Sequence, residues 1–475
     1  MSLIGTYKNG LSLVPETTSE AIFDCLIYHR RAQSKEGEQM GLRIYYDGLN
    51  LALQHGTGIA TYTRMLMNNA RDSGHSVSAV YSVPAPPSKN AALREISFYD
   101  SHHAAAFSRW CRLWFDARDQ FRNLLFDIEP VRIEQTGIVL TDNFRSRMPV
   151  HDDIFAVRNL FWNANWHFRK TRRFTNLKFD TQPDIFHCTY QMPLRCRAAC
   201  NVFTIHDLVA LRLPFATQDN KKFMYQLLRG VAARADHIVT VSETSKKDIM
   251  KYLGVEEHRI TNTYESVEFP RDCIEKSTDV VAYELEAALG LEYGKYLLFY
   301  GALEPKKNVS RLIDAYFFSG VTLPLVLVTS GGWGNEAEVA LIERRGEQGR
   351  ANPQIRQRIY RLDYVSQPML VTIIRGACAL IFPSLYEGFG LPVLEAMLLG
   401  TPVVTSRLGS LPEVAGDAAL LVNPYDVSDI ARGIGKIVED ADLRAELSTR
   451  GRTQAAVFSV ERYRERVAQL YASLR

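Results

Sequence analysis

Two similar α/β halves, each a parallel sheet covered by helices, are what this 475-residue sequence predicts. Three observations lead there. Apolar runs of strand length alternate with amphipathic stretches of helix length, the pattern of strand–helix–strand crossovers. The alternation falls into two series, separated by a mixed-charge stretch at 265–291 in which strand signals are few. The composition, 46% hydrophobic and 23% charged, suits sizeable cores and two or three domains at this length. It excludes a peptide hormone, a lone binding module and a disordered or fibrous chain, so a soluble enzyme is the default class.

Residues 1–39 are polar and irregular and read as an N-terminal extension. From Met40 the run Met-Gly-Leu-Arg-Ile-Tyr-Tyr-Asp-Gly has the character of a first strand. Downstream, 77–83, 202–205 and 237–241 read as strands and 223–235 as a helix, and Ser242 opens a further helix that Gly254 closes. The second series has strands at 296–300, 325–328, 378–382, 402–405 and 419–422, with helices between them. The division that follows is an N-terminal half at 40–290 with a basic and aromatic insertion at about 100–180, a C-terminal half at 291–458, and a last helix at 459–475 that suits either half. A cleft between the halves is the natural ligand site.

Fifty-six Lys and Arg against 53 Asp and Glu give a net charge of +3, too weak a bias to expect nucleic acid as a partner. Seven dispersed cysteines, an odd number, read as reduced thiols without disulfides. With no secretory signal and no apolar run near the ~18 residues of a membrane span, a cytoplasmic protein is expected. Contact with the inner face of a membrane is compatible with this. Residues 154–179 place Arg158, Arg169, Lys170, Arg172 and Arg173 among Trp162, Trp166 and several Phe, with no acid. Such a surface can rest on anionic lipid, each charge contributing ~1 kcal/mol. An inserted helix with a core-facing aromatic side and a solvated basic side explains it equally well.

The segment 382–400 has a readable geometry. A buried strand ends near Ser384, a glycine-containing loop follows, Pro392 marks the first helical turn, and Gly400 closes the helix. A helix N-terminus thus faces the end of a parallel strand, which gathers backbone N–H groups and positive potential for an anionic phosphate. Glu387 lies before the helix and Glu395 within its first turns. Two carboxylates at different depths can accept hydrogen bonds from the hydroxyls of one ligand, each ~1.5–3 kcal/mol when charge-assisted.

On these residues the sequence resembles the "glycosyl transferases group 1" family of retaining, nucleotide-sugar-dependent enzymes, whose GT-B fold sets two Rossmann-like domains face to face. Glu387 and Glu395 match its E-x7-E motif. The resemblance implies that Glu387 contacts donor-sugar hydroxyls, that Glu395 holds the nucleotide ribose, and that the backbone of Gly388, Phe389, Gly390 and Leu391 touches sugar and diphosphate. It extends over roughly 41–455 and includes 406–424. A second match, from Gly301 through Lys306, Lys307 and Asn308, implies Lys307 as the phosphate ligand. Many relatives carry Arg directly after the glycine, where this chain has Ala302, and Lys306 is the nearest substitute. This variant is similar to a subgroup rich in GDP-mannose users. Tyr364 and Val365 resemble the segment whose backbone meets the base.

In the N-terminal half, Gly56-Thr-Gly58-Ile precedes a helix and aims a second glycine loop at the cleft. It departs from a dehydrogenase fingerprint, since Thr61 replaces the third glycine and the next strand carries no acid for a ribose. It resembles the family's loop near donor phosphate and acceptor. His206 and Asp207 end a strand. The family match implies that His206 bonds a sugar hydroxyl and that Asp207 orients it or the loop. His187, Cys188, Cys196 and Cys200 lack paired zinc-ligand spacing, and Asp440-Ala-Asp442 reads as helix capping, so neither metal nor cofactor is expected beyond the nucleotide sugar.

The function implied is a retaining hexosyltransferase, most simply a mannosyltransferase using GDP-mannose, with a glycan or lipid-linked oligosaccharide acceptor in polysaccharide or lipopolysaccharide synthesis. Lys307, Glu387, His206 and Asp207 would serve the reaction. A sucrose-synthase- or phosphorylase-like enzyme of the same fold is one alternative. A catalytically inactive nucleotide-binding partner of a polysaccharide-assembly complex is the other.

Overall fold

The computed structural model describes residues 41–51, 58–84, 88–100, 118–123, 126–141, 148–149, 151–330, 339–340, 358–363 and 365–474. From Leu42 onward these belong to one compact unit, Leu42–Arg475. The N-terminal half contributes β1 (Arg43–Asp47), β2 (Ser76–Val83), β3 (Val131–Ile133), β4 (Asp153–Arg158), β5 (Thr175–Leu177), β6 (Ile185–Cys188), β7 (Leu194–Cys196), β8 (Cys200–Thr204), β9 (His237–Thr240) and β10 (Ile260–Asn262). Eight of these form a sheet in the order β10-β9-β8-β6-β1-β2-β4-β3, parallel except where β3 runs against β4 at the edge. The strands β5 and β7 make a separate parallel pair.

The C-terminal half contributes β11 (Leu297–Ala302), β12 (Leu325–Ser330), β13 (Ile359–Leu362), β14 (Ala379–Phe382), β15 (Val403–Ser406) and β16 (Ala419–Val422). They form an all-parallel sheet in the order β13-β12-β11-β14-β15-β16. In both sheets the first strand lies inside, and the chain builds outward on one side and then on the other. The order therefore reverses between β11 and β14, and between β1 and β6. At such a point successive connections leave in opposite directions and open a crevice beyond the carboxyl ends of the strands. Strands β6, β9, β14 and β15 are buried along their whole length, as expected where helices cover both faces, and this is why their residues read as continuous apolar runs. The sequence offered no comparable signal for β13, an edge strand whose Tyr360 and Arg361 are exposed.

The helix Glu243–Leu253 has the predicted ends, with Ser242 accepting from Ser245 N and Gly254 at φ +70°. It is also where the two halves dock. Glu413, from the C-terminal half, accepts hydrogen bonds from the backbone N–H groups of Glu243 at 2.7 Å and Thr244 at 3.1 Å, an anion on the positive end of the helix. Ser245 Oγ donates to His206 O, and the Tyr386 hydroxyl donates to Asp248 at 2.7 Å.

Three expectations are corrected. Residues 153–177 are not part of an insertion, because β4 pairs with β2 in the main sheet and the helix Leu160–Thr171 leads from it to β5. Arg158, placed on the membrane-facing surface, is buried and bonded to Asp119 at 2.8 Å, since its strand belongs to the sheet. The helix Thr278–Leu289, assigned to the N-terminal half by a boundary at 290, packs on the helix Gln367–Gly376 of the C-terminal half, where Glu284 takes hydrogen bonds from Lys276 and Thr372. Trp162, Arg169, Lys170, Arg172 and Arg173 are exposed and Trp166 is half-buried, while Arg169 and Arg172 lie over the rings of Phe223 and Phe168.

The last helix, Val460–Ser473, returns to the N-terminal half. Arg464 bonds Asn69 and Asp72, and the buried Tyr471 hydroxyl lies 2.8 Å from both the Tyr46 hydroxyl and His187 Nδ1. His187 Nε2 meets Thr204 Oγ1, so both ring nitrogens are occupied, and burial pulls its pKa down to about 3. That accounts for this histidine without a metal. Among the described residues no group of three or more His, Cys, Asp or Glu could hold one. Tyr471→Phe removes the hydroxyl shared by Tyr46 and His187 and strands a buried ring nitrogen. The expected loss is about 1–3 kcal/mol, read as a lower thermal midpoint, and an unchanged midpoint would count against the bridge.

Candidate functional site

The loop after β11 and the loop after β14 meet at the reversal point of the C-terminal sheet. The first, at 303–308, carries Lys306 and Lys307, and the second, at 383–390, carries Glu387. Lys307 Nζ lies 2.7 Å from Glu387 Oε1, which also accepts from Ser384 Oγ at 2.5 Å. Lys306 Nζ lies 3.9 Å from Glu387 Oε2 and 3.9 Å from Glu304. Glu387 is 6% exposed. Burial works to raise its carboxyl pKa, but the ammonium groups of Lys307 and Lys306 and the hydrogen bonds from Lys307 and Ser384 prevail and hold it below the ordinary value. Burial likewise works against the Lys306 ammonium, and Glu387, Asp207 and Glu304 hold its pKa above the ordinary range. The result is a dry cluster of fixed charge at the mouth of a helix. Asn308, at φ +63°, does not cap the following helix with its side chain but donates instead to Pro383 O and Pro424 O, tying the lysine loop to its neighbours.

The glycines have steric reasons. A Cβ on Gly388 would stand 2.6 Å from His206 O, and Gly390, at φ +113°, would meet Leu411. Ser410 Oγ donates to Glu387 O and Phe389 O, which pins the backbone between them. The Phe389 ring is buried beside Tyr264 and Phe458, so only its backbone is left for a ligand. No side chain caps the helix Leu391–Leu398; Pro392 carries no N–H, and the N–H groups of Val393 and Leu394 donate back to Gly390 O. Along that helix, Glu395 accepts from the Tyr300 hydroxyl at 2.7 Å, and burial pushes its pKa up. Gly301 (φ +143°) ends near the Lys307 side chain.

From the N-terminal half come His206 and Asp207, at the end of β8. His206 Nε2 faces Thr189 O at 3.0 Å, which requires a proton on Nε2, and its Nδ1 lies 3.4 Å from Glu265. Tyr62 sits edge-on to the ring. Both nitrogens thus have protein partners, and a sugar hydroxyl bonding Nδ1 has to share it with Glu265. Asp207 accepts from Val209 N, so it orients the loop rather than His206. A Cβ on Gly58 would stand 3.6 Å from the Leu391 side chain, while Gly56 and Tyr364 lie outside the described residues. Val365, partly buried, follows β13 by three residues and precedes the helix Gln367–Gly376. A cavity of about 400 Å³ adjoins the cluster, lined by Tyr190, Gln191, His206, Asp207, Asp219 and Lys306 among others. The sequence pointed to Glu387, Glu395 and Lys307 but missed Ser384, Tyr300, Glu265 and Thr189. Ser384 and Tyr300 stand beside the motifs and were findable. Glu265 carries no local signal, because it reaches the site from beyond β10.

A carboxyl held below its ordinary value of 4.5 contributes stability that is present above that pH and is lost as the pH falls through the depressed value. Glu387→Gln should therefore unfold with a shallower dependence on pH below 4.5 than the wild type. Thermal melts across that range check it, and equal slopes would mean the pair does not set the stability there.

Comparison with known proteins bears on family and fold. The family model "Glycosyl transferases group 1" matches residues 284–454, and "Glycosyltransferase Family 4" matches 135–267. The chain is 33% identical over 291 residues to O-antigen chain mannosyltransferase B of Escherichia coli, covering 59% of this chain and 72% of that one. It is 28% identical over 264 residues to the serotype-specific mannosyltransferase WbdA of the same species, covering 54% of this chain and only 31% of that longer protein. Among solved structures, sucrose-phosphate synthase from Thermosynechococcus elongatus aligns over 91% of this chain and 99% of its own, with a TM-score of 0.61 at 16% identity. HepE from Anabaena, in complex with UDP and glucose, aligns over 91% and 100% with a TM-score of 0.60 at 14% identity. The predicted GT-B architecture is thereby present, with its cleft at the carboxyl ends of both sheets, and this chain belongs to the glycosyl transferases group 1 family.

Proposed function

We propose that this glycosyltransferase is a retaining mannosyltransferase that takes mannose from GDP-mannose and adds it to a hydroxyl of a glycan or lipid-linked oligosaccharide during polysaccharide synthesis. The observation that carries the proposal is the buried Lys307–Glu387 pair at the sheet's reversal point, flanked by Lys306 and an uncapped helix. The mannosyl donor and the glycan acceptor are supported by the names of the relatives, two mannosyltransferases of O-antigen or serotype-specific chains.

The diphosphate sits against the N-terminus of the helix Leu391–Leu398 and the Lys307 ammonium. Glu395, already accepting from Tyr300, takes the ribose hydroxyls. Glu387 releases part of its contact with Lys307 to accept hydrogen bonds from the sugar. The acceptor enters the 400 Å³ cavity, where the carboxylates of Asp207, Asp219 and Glu304 suit sugar hydroxyls. As the anomeric carbon–oxygen bond breaks, negative charge grows on the diphosphate, where Lys307 and Lys306 are already placed. The attacking hydroxyl forms the new bond on the face the phosphate leaves and passes its proton to the departing phosphate oxygen. The protein supplies position and charge rather than a covalent nucleophile, and the two ammonium groups perform the neutralisation without a call for metal.

Lys307→Ala and Glu387→Ala are each expected to lower transfer from GDP-mannose about a hundredfold or more, the usual scale for removing a preorganised charge. Glu387→Ala should also leave GDP binding within a few-fold of wild type. The check is product formation with purified protein and calorimetric titration of GDP, with and without a chelator. Near-normal turnover in both variants would overturn the assignment, and selective use of another nucleotide sugar would redirect it.

A further inference from the structure

The pair β5–β7 sets Asn176 directly opposite Arg195. Their neighbours Thr175, Leu177, Leu194 and Cys196 are buried in the core, so alternation turns Asn176 and Arg195 together to the other side of the pair. That side opens into a cavity of about 520 Å³, which shares no lining residue with the cleft. Four guanidinium groups line it. Arg195 lies on β7 and Arg197 just beyond its end, Arg173 follows the helix Leu160–Thr171, and Arg234 ends the helix Lys221–Arg234. Among the described lining residues there is one carboxylate, Asp127, which lies 3.4 Å from Arg197.

Arg173, Arg197 and Arg234 are exposed and Arg195 is partly buried, and two features mark the group. Arg195 Nε is buried with no hydrogen-bond partner, although a buried donor of this kind normally has one. Arg234 is fixed in place, its guanidinium over the Phe174 ring at 5.1 Å and bonded to Gly230 O and Arg172 O. A charged fork with an unmet donor, beside others with only one acid among them, is complementary to a tetrahedral oxyanion, and planar guanidinium binds phosphate with two parallel hydrogen bonds. We propose that this cavity is a second anion site, taking a phosphate or diphosphate group on Arg195, Arg173 and Arg234, with Arg197 balancing Asp127. The group comes either from a soluble phosphate compound or from a phospholipid headgroup. The exposed Arg169, Lys170 and Trp162 lie on the adjacent helix.

The test uses the full-length chain carrying Lys307→Ala, which removes the main phosphate ligand of the cleft. Inorganic pyrophosphate is titrated calorimetrically into it, and co-sedimentation is measured with phosphatidylcholine vesicles with and without phosphatidic acid. Adding Arg195→Gln and Arg234→Gln should weaken pyrophosphate binding about tenfold or more. Adding the exposed Arg173→Gln alone should weaken it several-fold with the thermal midpoint unchanged. Sedimentation that depends on phosphatidic acid and falls with the same substitutions identifies a lipid headgroup, whereas pyrophosphate binding without it identifies a soluble phosphate. No pyrophosphate binding, or equal affinity in the Arg173→Gln chain and the chain it derives from, overturns the proposal.

Discussion

The buried Lys307–Glu387 pair is the contact on which the rest of the site depends. A carboxylate that is 6% exposed stays ionised only if opposite charge and hydrogen bonds replace its lost water, and here Lys307, Ser384 and Lys306 do so. This requirement links two loops that are about 80 residues apart in sequence, because each leaves a strand beside the reversal of the sheet. Neither loop could be rebuilt without the other, and their partners, Asn308 on one side and Ser410 on the other, hold the backbone so that the charges do not collapse toward solvent.

A second constraint is how closely the two halves approach. Gly388 lies against the carbonyl of His206, so any side chain there would push the donor loop from the opposite half. The contact is kept by a helix N-terminus, where Glu413 satisfies two backbone donors of Glu243–Leu253 and Ser245 Oγ reaches Gly388 O as well as His206 O. The same helix start that terminates a local element thus sets the width of the cleft. On the far side, the last helix reaches back to Tyr46 and His187, tying the chain's end to the first sheet.

The charge distribution follows the same economy. A net charge of +3 hides strong local asymmetry. In the cleft, ammonium and carboxylate groups are interleaved, which suits a ligand with both phosphate and hydroxyls. In the cavity beside β5 and β7, guanidinium groups outnumber acids, which suits an anion alone.

Much of the fold was legible because strands buried on both faces must be apolar throughout, and because helix ends at Ser242 and Gly254 obey local capping chemistry. Glu387, Glu395 and Lys307 were legible through the resemblance, as each lies within a short motif of the family. What the sequence alone could not supply were contacts between distant segments. Glu265 behind His206, Tyr300 on Glu395, the docking of Glu413 and the seat of the last helix all come from residues with no local pattern. The same holds for Arg158, whose charge suggested a surface until its strand took a place inside the sheet. Periodicity and capping are short-range physics and determined the elements. Ion pairing in a desolvated site is long-range, and only the tertiary structure decided which charges met.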